Sequence, residues 1–552
     1  MNIAIMRRLA LLSLGLVAGS TQAQLATNLF LDTKAMSLGN AVTADPVGIM
    51  DIHFNPAGLT KLDGRQIQFS VQNIYLNVET EFDLPENYDG EGQLLDIGKD
   101  PVAGEKGSAG AAIFAPGVGI IPLNHLPLMQ APGAGLSIKP EGSRFTFANA
   151  VYIPLAGGFA KDDDDPGRYQ AKKVVMQRLS YLSPSFGYQV NDEFAVGASF
   201  IFSSHVLALE QDLRAPNILI GVAEQLQDAF GCFDEVTGEP TGNDPLVPLV
   251  ALCGGDIGPY DDVGTLSLET QETLSPSFNI GFLWEPTEWF AWGATYQSEA
   301  TAHLKGTYEL EYTEDFAGFF RKLQSTIFGA IGGAIFQLPN GQRKETGLVS
   351  TEQVFPQRLQ TGIKLRFFED FQFNFDLGWT DFDKWDAIKL EFDRPVSFLS
   401  SAKILGPGLV TDRSLNQPLG FKSVWSPSFG FQYDLNSRVQ LRAGYEPRAS
   451  SIPEDARSVQ APLGYMPMYS MGMGYQWDKD TVVDFSLAFM QSKEEILADP
   501  QTETDNGGPY SNSSNSLNRN CLTCTVTNPY PGLDVKTKLT IGAFGITYRT
   551  KF

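Results

Sequence analysis

Apolar and polar residues alternate with period two along most of this chain. In Phe371 to Thr380, Phe371, Phe373, Phe375, Leu377 and Trp379 fall on one face, and Gln372, Asn374, Asp376, Gly378 and Thr380 on the other. Phe194 to Ser203 and Thr481 to Met490 behave the same way. Period two sends successive side chains to opposite faces of an extended strand. A half-covered sheet in a soluble protein alternates too. Here the alternation starts at Arg65 and continues to Phe552, with no helical layer interleaved to cover an apolar face. The pattern predicts an all-β fold, a transmembrane antiparallel β-barrel of about 14 strands, with lipid on one face of each strand and the lumen on the other.

The connections alternate in length. Tight polar turns stand at Pro140-Glu141-Gly142-Ser143, Asn191-Asp192-Glu193, Pro286-Thr287-Glu288, Glu369-Asp370, Leu435-Asn436-Ser437 and Asp478-Lys479-Asp480. Long segments near 79–127, 155–172, 212–262, 313–345, 393–420, 447–462 and 494–535 alternate with them. Short turns on one rim and long external loops on the other are the outer-membrane arrangement, with both chain ends in the periplasm. Trp284, Trp289, Phe368, Phe371 and Trp477 crowd the tight turns as an interfacial girdle would. The final strand ends in Phe552, the kind of terminal aromatic that barrel-assembly machinery reads. Ser-Pro-Ser-Phe recurs at Ser183, Ser275 and Ser426; proline is costly inside a sheet, so each copy predicts a bend or bulge.

Residues 1–23 have the layout of a secretory signal: Arg7 and Arg8, an apolar core from Leu9 to Ala18, and Thr21-Gln22-Ala23 before the cleavage point. The apolar core is too short to span a bilayer. Residues 24–62 are too short and too glycine-spotted for a domain and lack alternation. They are read as a plug inside the barrel, which occupies 63–552. The plug ends in Asn55-Pro56-Ala57-Gly58-Leu59, where the residue before proline is pushed out of the helical region and proline fixes its own φ. Asn55, Pro56, Ala57 and Gly58 are the candidate gating corner. A buried Asn55 amide needs partners, and these are expected on the wall near the third strand.

Two external loops are unusually apolar. Leu219, Val222, Leu226 and Phe230 keep helical spacing within 216–231, and Phe316, Phe319, Phe320, Leu323 and Ile327 do so within 316–336. Their stripes either bury against each other or leave a ligand-capturing groove open to the outside.

Composition narrows the partners. The formal net charge of −24 excludes nucleic acid and fits acidic external loops. Of the four cysteines, Cys232 with Cys253 and Cys521 with Cys524 are close enough in sequence for local disulfides in an oxidising compartment. The alternative for Cys521-Leu522-Thr523-Cys524 is half a zinc site, but His53, His125, His205 and His303 are scattered, so no metal and no cofactor is expected. No Gly-x-Ser-x-Gly is present to support a barrel enzyme. On the strand through Arg358, Leu359 and Ile363 face lipid, so Arg358, Lys364 and Arg366 face the lumen. Their roles are neutralising lumenal carboxylates or, at Arg358, meeting a ligand carboxylate.

The plug signature Asn55-Pro56-Ala57-Gly58-Leu59, together with Pro166-Gly167-Arg168-Tyr169-Gln170, Tyr296-Gln297-Ser298-Glu299 and Lys305-Gly306, resembles the FadL/TodX-type outer-membrane transporters of long-chain fatty acids and aromatic hydrocarbons. The resemblance covers nearly the whole mature chain. It implies loop helices that collect ligand, a lumenal pocket, and an exit through a gap near a kinked third strand, here Arg144 to Pro154 leading into Ala156-Gly157-Gly158. It implies a long-chain fatty acid or another hydrophobic ligand, passive transport, contact with outer-membrane lipid and lipopolysaccharide, and a monomer. The long first and last loops and the cysteine pairs depart from the family pattern.

Overall fold

In the computed structural model the strands close into a barrel. The structure describes residues 31–552 apart from 87, 89–95, 124–127, 217, 235, 337–338, 386, 401–409, 419–420, 454–463 and 499–528. The signal segment, Cys521 and Cys524 lie outside the described residues. The fold is a closed 14-strand antiparallel barrel. Its strands are β1 (Gly64–Asp83), β2 (Leu128–Lys139), β3 (Phe145–Lys161), β4 (Lys173–Leu182 and Ser185–Gln189), β5 (Phe194–Leu213) and β6 (Gly264–Thr287). There follow β7 (Phe290–Gln297 and Ala300–Tyr312), β8 (Lys344–Phe355 and Arg358–Phe367), β9 (Phe371–Thr380 and Ala387–Phe392) and β10 (Ser414–Pro418 and Val424–Asn436). The last are β11 (Val439–Glu446), β12 (Met468–Gln476), β13 (Thr481–Ile496) and β14 (Asp534–Lys551).

Closure is made by β14 on β1, in register from Gln66 opposite Lys551 to Asp83 opposite Asp534. A closed barrel leaves no open sheet edge, which a bilayer requires because lipid cannot satisfy backbone groups. The faces sort as the alternation predicts. On β9, Gln372, Asn374 and Asp376 are buried inside, while the aromatic residues between them look outward. The predicted bends occur at two of the three Ser-Pro-Ser sites. The β4 register slips beside Pro184, and the β5–β6 register slips next to Ser275-Pro276. Pro427 keeps regular register with Leu377, because its missing N–H is the only change a pairing there has to absorb.

The plug lies in the lumen as three short helical turns, α1 (Thr33–Ser37), α2 (Asp51–Phe54) and a 3-10 turn (Pro56–Lys61). The loop helices are α3 (Ile218–Phe230), α4 (Glu314–Gln324) and α5 (Ile327–Phe336). The single stripe predicted over 316–336 is therefore two helices. The break falls where the Thr326 hydroxyl accepts from Gly329 N at 3.2 Å and starts a new helix, as Ser and Thr do at N-caps.

The external mouth is drawn together at one side chain. Arg214, fully buried at the top of β5, makes a bidentate pair with Asp100 (2.7 and 2.9 Å) and donates to the Pro529 carbonyl at 2.7 Å. The rings of Tyr169, Tyr260 and Tyr530 surround its guanidinium.

Candidate ligand site in the barrel lumen

The plug corner is a fixed joint. Asn55 is extended (φ −153°, ψ 101°), and its side chain accepts from Ala57 N at 3.2 Å, capping the turn that Pro56 begins. Its amide nitrogen donates to the Thr43 carbonyl at 2.8 Å and the Phe282 carbonyl at 2.9 Å. The wall partner is thus on β6. The expectation of a partner near β3 is corrected: Gly281 on β6 and Gly293 on β7 carry no side chain and leave the room that the Asn55 amide fills. Gly58 is needed for a similar reason, since a Cβ there would meet the Asp51 carboxylate at 2.7 Å.

Elsewhere the plug is held by directional bonds to β9 and its neighbours. One oxygen of Asp376 accepts from Val42 N (3.0 Å), Thr43 N (2.8 Å), the Thr43 hydroxyl (2.6 Å) and the Gln360 amide (2.8 Å). Asn374 donates to the Ala41 carbonyl at 2.9 Å, and Asn40 donates to Glu446 at 3.0 Å. Against β3 the character changes. Ile49, Ile52 and Phe54 pack on Ala148, Ala150 and Tyr152, and among the described residues no side-chain hydrogen bond joins the plug to that strand.

The wall is open in its ladder at β3. Pairing of β2 with β3 runs from Ile138 opposite Phe147 to Ala134 opposite Val151 and stops there. Pairing resumes only at Phe159, opposite Ala111 of the preceding loop. Among the described residues, β3 has no ladder partner on that side from Tyr152 to Gly158. The β3–β4 register slips between Tyr152 and Leu155, where Pro154 has no N–H to donate.

Beside this gap the lumen is lined with carbon and sulfur. Register sets Met468 opposite Met490 and Met490 opposite Ile541. One rung lower, Ala543 and Met129 flank Ile74. Met36 of the plug and Ala156 of β3 join the same buried cluster. Sequence reading missed this wall; the signal was methionine on the inward parity of three strands. Met is flexible and polarisable and fits irregular apolar guests.

Across the lumen stand two arginines. Arg358 is 7% exposed, its Nε has no partner, and it forms no ion pair among the described residues. On the same strand Lys364 pairs with Glu285 at 3.3 Å, and Arg366 pairs with Asp434. Arg178, on β4, donates to the hydroxyls of Ser203 (3.2 Å) and Ser277 (2.9 Å) and sits 5.2 Å over the Phe355 ring. The His205 ring lies tilted against the same ring at 4.5 Å, with neither ring nitrogen hydrogen-bonded among the described residues. Phe355, against which Arg178 and His205 lie, is three residues before Arg358 on β8. Arg178 was not singled out from sequence, because Val174-Val175-Met176 around it does not alternate in polarity.

The loop helices divide. In α4, Phe319 is buried and Phe316 stacks on Tyr312 at 5.4 Å, with Phe320 and Leu323 half-buried. In α5, Ile327, Phe328 and Ile331 are each more than half exposed. In α3, Val222 and Phe230 are half-buried and Leu226 is exposed; the side chain of Leu219 is outside the described set. Cys232, just after α3, and Cys253 are joined in a disulfide.

No curated protein matches the chain in sequence. Among solved structures, a FadL homologue from Pseudomonas aeruginosa superposes with a TM-score of 0.62 at 16% identity, covering 97% of this chain and 100% of its own. The toluene transporter TodX of P. putida gives 0.56 at 14%, covering 94% and 98%. The toluene transporter TbuX of Ralstonia pickettii gives 0.55 at 13%, covering 94% and 98%. The family model described as outer membrane protein transport protein (OMPP1/FadL/TodX) matches residues 16–552. With that match over a plugged fourteen-strand barrel, the chain belongs to the FadL/TodX family of outer-membrane transporters of hydrophobic compounds.

Proposed function

We propose that this protein passively carries long-chain fatty acids across the outer membrane, with the carboxylate at Arg178 and Arg358 and the acyl chain along the methionine wall. The observation that carries the reading is a pair of lumenal guanidinium groups without carboxylate partners among the described residues, on a barrel whose Lys364 and Arg366 have them. A buried cation left unpaired is costly, and a ligand carboxylate offsets that cost with short charge-assisted bonds. Each methylene buried on the apolar wall contributes about 0.8 kcal/mol, so capture needs no energy source. Release is then the harder step. The β3 gap gives the chain a lateral way into lipid that avoids water, and Ile327, Phe328 and Ile331 of α5 offer the first apolar contact outside. An aromatic hydrocarbon or alkane is the second reading, for which the methionine wall alone suffices.

Equilibrium binding of palmitate and hexadecane to purified protein tests the choice. Arg178→Met with Arg358→Met should weaken palmitate by about 10–100-fold, as loss of charge-assisted bonds does. Hexadecane binding should hardly change. Unchanged palmitate binding would transfer the reading to uncharged hydrocarbons.

A further inference from the structure

The first long loop enters the wall where the gap ends. Its segment Lys106–Ala115 descends between β1 and β3, pairing with Val78 to Glu81 on one side and Phe159 to Lys161 on the other. At Ala112 it leaves the wall, turns through Ala115-Pro116-Gly117-Val118-Gly119, and returns along Gly119–Pro122 as the second arm of a hairpin. Leu123 N then donates to the Ala111 carbonyl at 2.9 Å, so the stem is shut where the excursion began. Between Gly107 and Leu123 there is no charged residue, although an external loop meets water.

The hairpin lies on the outside of the barrel. Met176 and Arg178 point into the lumen, so Val175 points out. Register sets Val175 opposite Gly158 on β3 and Ala208 on β5, and Ala208 opposite Glu269 on β6. This outward row should be exposed, yet Val175 and Ala208 are buried. The hairpin covers it. Ala112, Phe114 and Ile120 pack on Ala160 and Val175. The Ala112 carbonyl rests on Gly158, where any Cβ would collide with it, and Gly119 at the tip reaches the Glu269 carboxylate. On the lumenal side, Ile113 and Leu123 pack against the methionine cluster. Among the described residues, Ala112 to Pro122 make no ion pair or side-chain hydrogen bond to the wall they cover. Contact through carbon is non-directional and can be peeled without orphaning polar groups.

We infer that the hairpin Ala112–Pro122 is a strap that closes the lateral gap from outside and must lift off Gly158 before ligand can leave. This rests on the lateral-release reading above. Val118 is 73% exposed and Glu269 is exposed, so both can be reached in intact cells. Val118→Cys with Glu269→Cys, bridged by a short bis-methanethiosulfonate, should cut uptake of labelled palmitate and of labelled hexadecane by about tenfold or more, as a locked lid does. Reductant should restore both, and the bridged protein, purified, should still bind palmitate. Each single-cysteine protein treated with reagent is the control. Gly158→Val should do the opposite, raising passage of both compounds while the barrel keeps its heat-modifiable mobility on gels. Uptake unchanged by the bridge would overturn the strap, as would loss of palmitate binding together with uptake. A bridge that blocks hexadecane in a protein indifferent to palmitate would uphold the strap and sink the fatty-acid reading.

Discussion

The two flanks of the plug are built from different forces. Toward β9 and β11 the plug hangs on Asp376, Asn374 and Glu446, each receiving or giving bonds of fixed length and direction. Toward β3 it meets Ala148, Ala150 and Tyr152 through carbon. A hydrogen bond is lost over a fraction of an ångström, whereas an apolar contact changes gradually with area. The difference predicts a hinge side and a sliding side for the plug. A small tilt about the hinge would open the lumen toward β3, where the ladder is already interrupted.

Three substitutions test that contrast. Asp376→Ala strikes the hinge hardest, because it takes the acceptor from the Thr43 N–H and hydroxyl and leaves the Val42 N–H and the Gln360 amide only their weaker bonds to the Asn40 carbonyl. At about 1–3 kcal/mol for each orphaned group, plug docking should lose several kcal/mol. Amide exchange at Val42 and Thr43 should accelerate strongly, and single-channel recordings should turn leaky; silent channels with unchanged exchange would abolish the hinge. Asn55→Ala comes next. It removes two donations and a cap, costing about 1–3 kcal/mol. Because the corner is tied to β6, the result should be greater leak with ligand binding kept, measured by sensitivity to large antibiotics at matched protein levels. A fall in uptake without leak would restore the corner to the exit path. Ile49→Val on the sliding side is the mildest, at about 0.5–1.5 kcal/mol. Exchange at Ile52 should quicken slightly with no change in conductance, and an effect equal to that of Asp376→Ala would erase the distinction between the flanks.

Strands and turns were legible because period two records one physical fact, the opposition of lipid and lumen, at nearly every rung. The inward-facing Arg358 followed from the same parity. What escaped notice depended on register between distant segments. The partners of Asn55 are backbone carbonyls, which no side-chain pattern announces. Arg178 acquires its meaning from Ser203 and Ser277, which β5 and β6 bring across. The hairpin from Ala112 to Pro122 has neither alternation nor charge and so reads as part of a loop. The helix break at Ser325-Thr326 was visible in principle, since those residues start helices, but the apolar spacing ran through it.

The Arg214 hub divides the outer surface into committed and free ground. Asp100, Tyr169, Tyr260 and Pro529 come from four different loops, so none of these loops can be lengthened or shifted near the hub without disturbing the other three. Val236, 92% exposed within the turn that the Cys232–Cys253 disulfide encloses, carries no such obligation. A foreign epitope spliced between Val236 and Thr237 should be displayed on living cells without altering transport, whereas the same epitope beside Asp100 should not be tolerated.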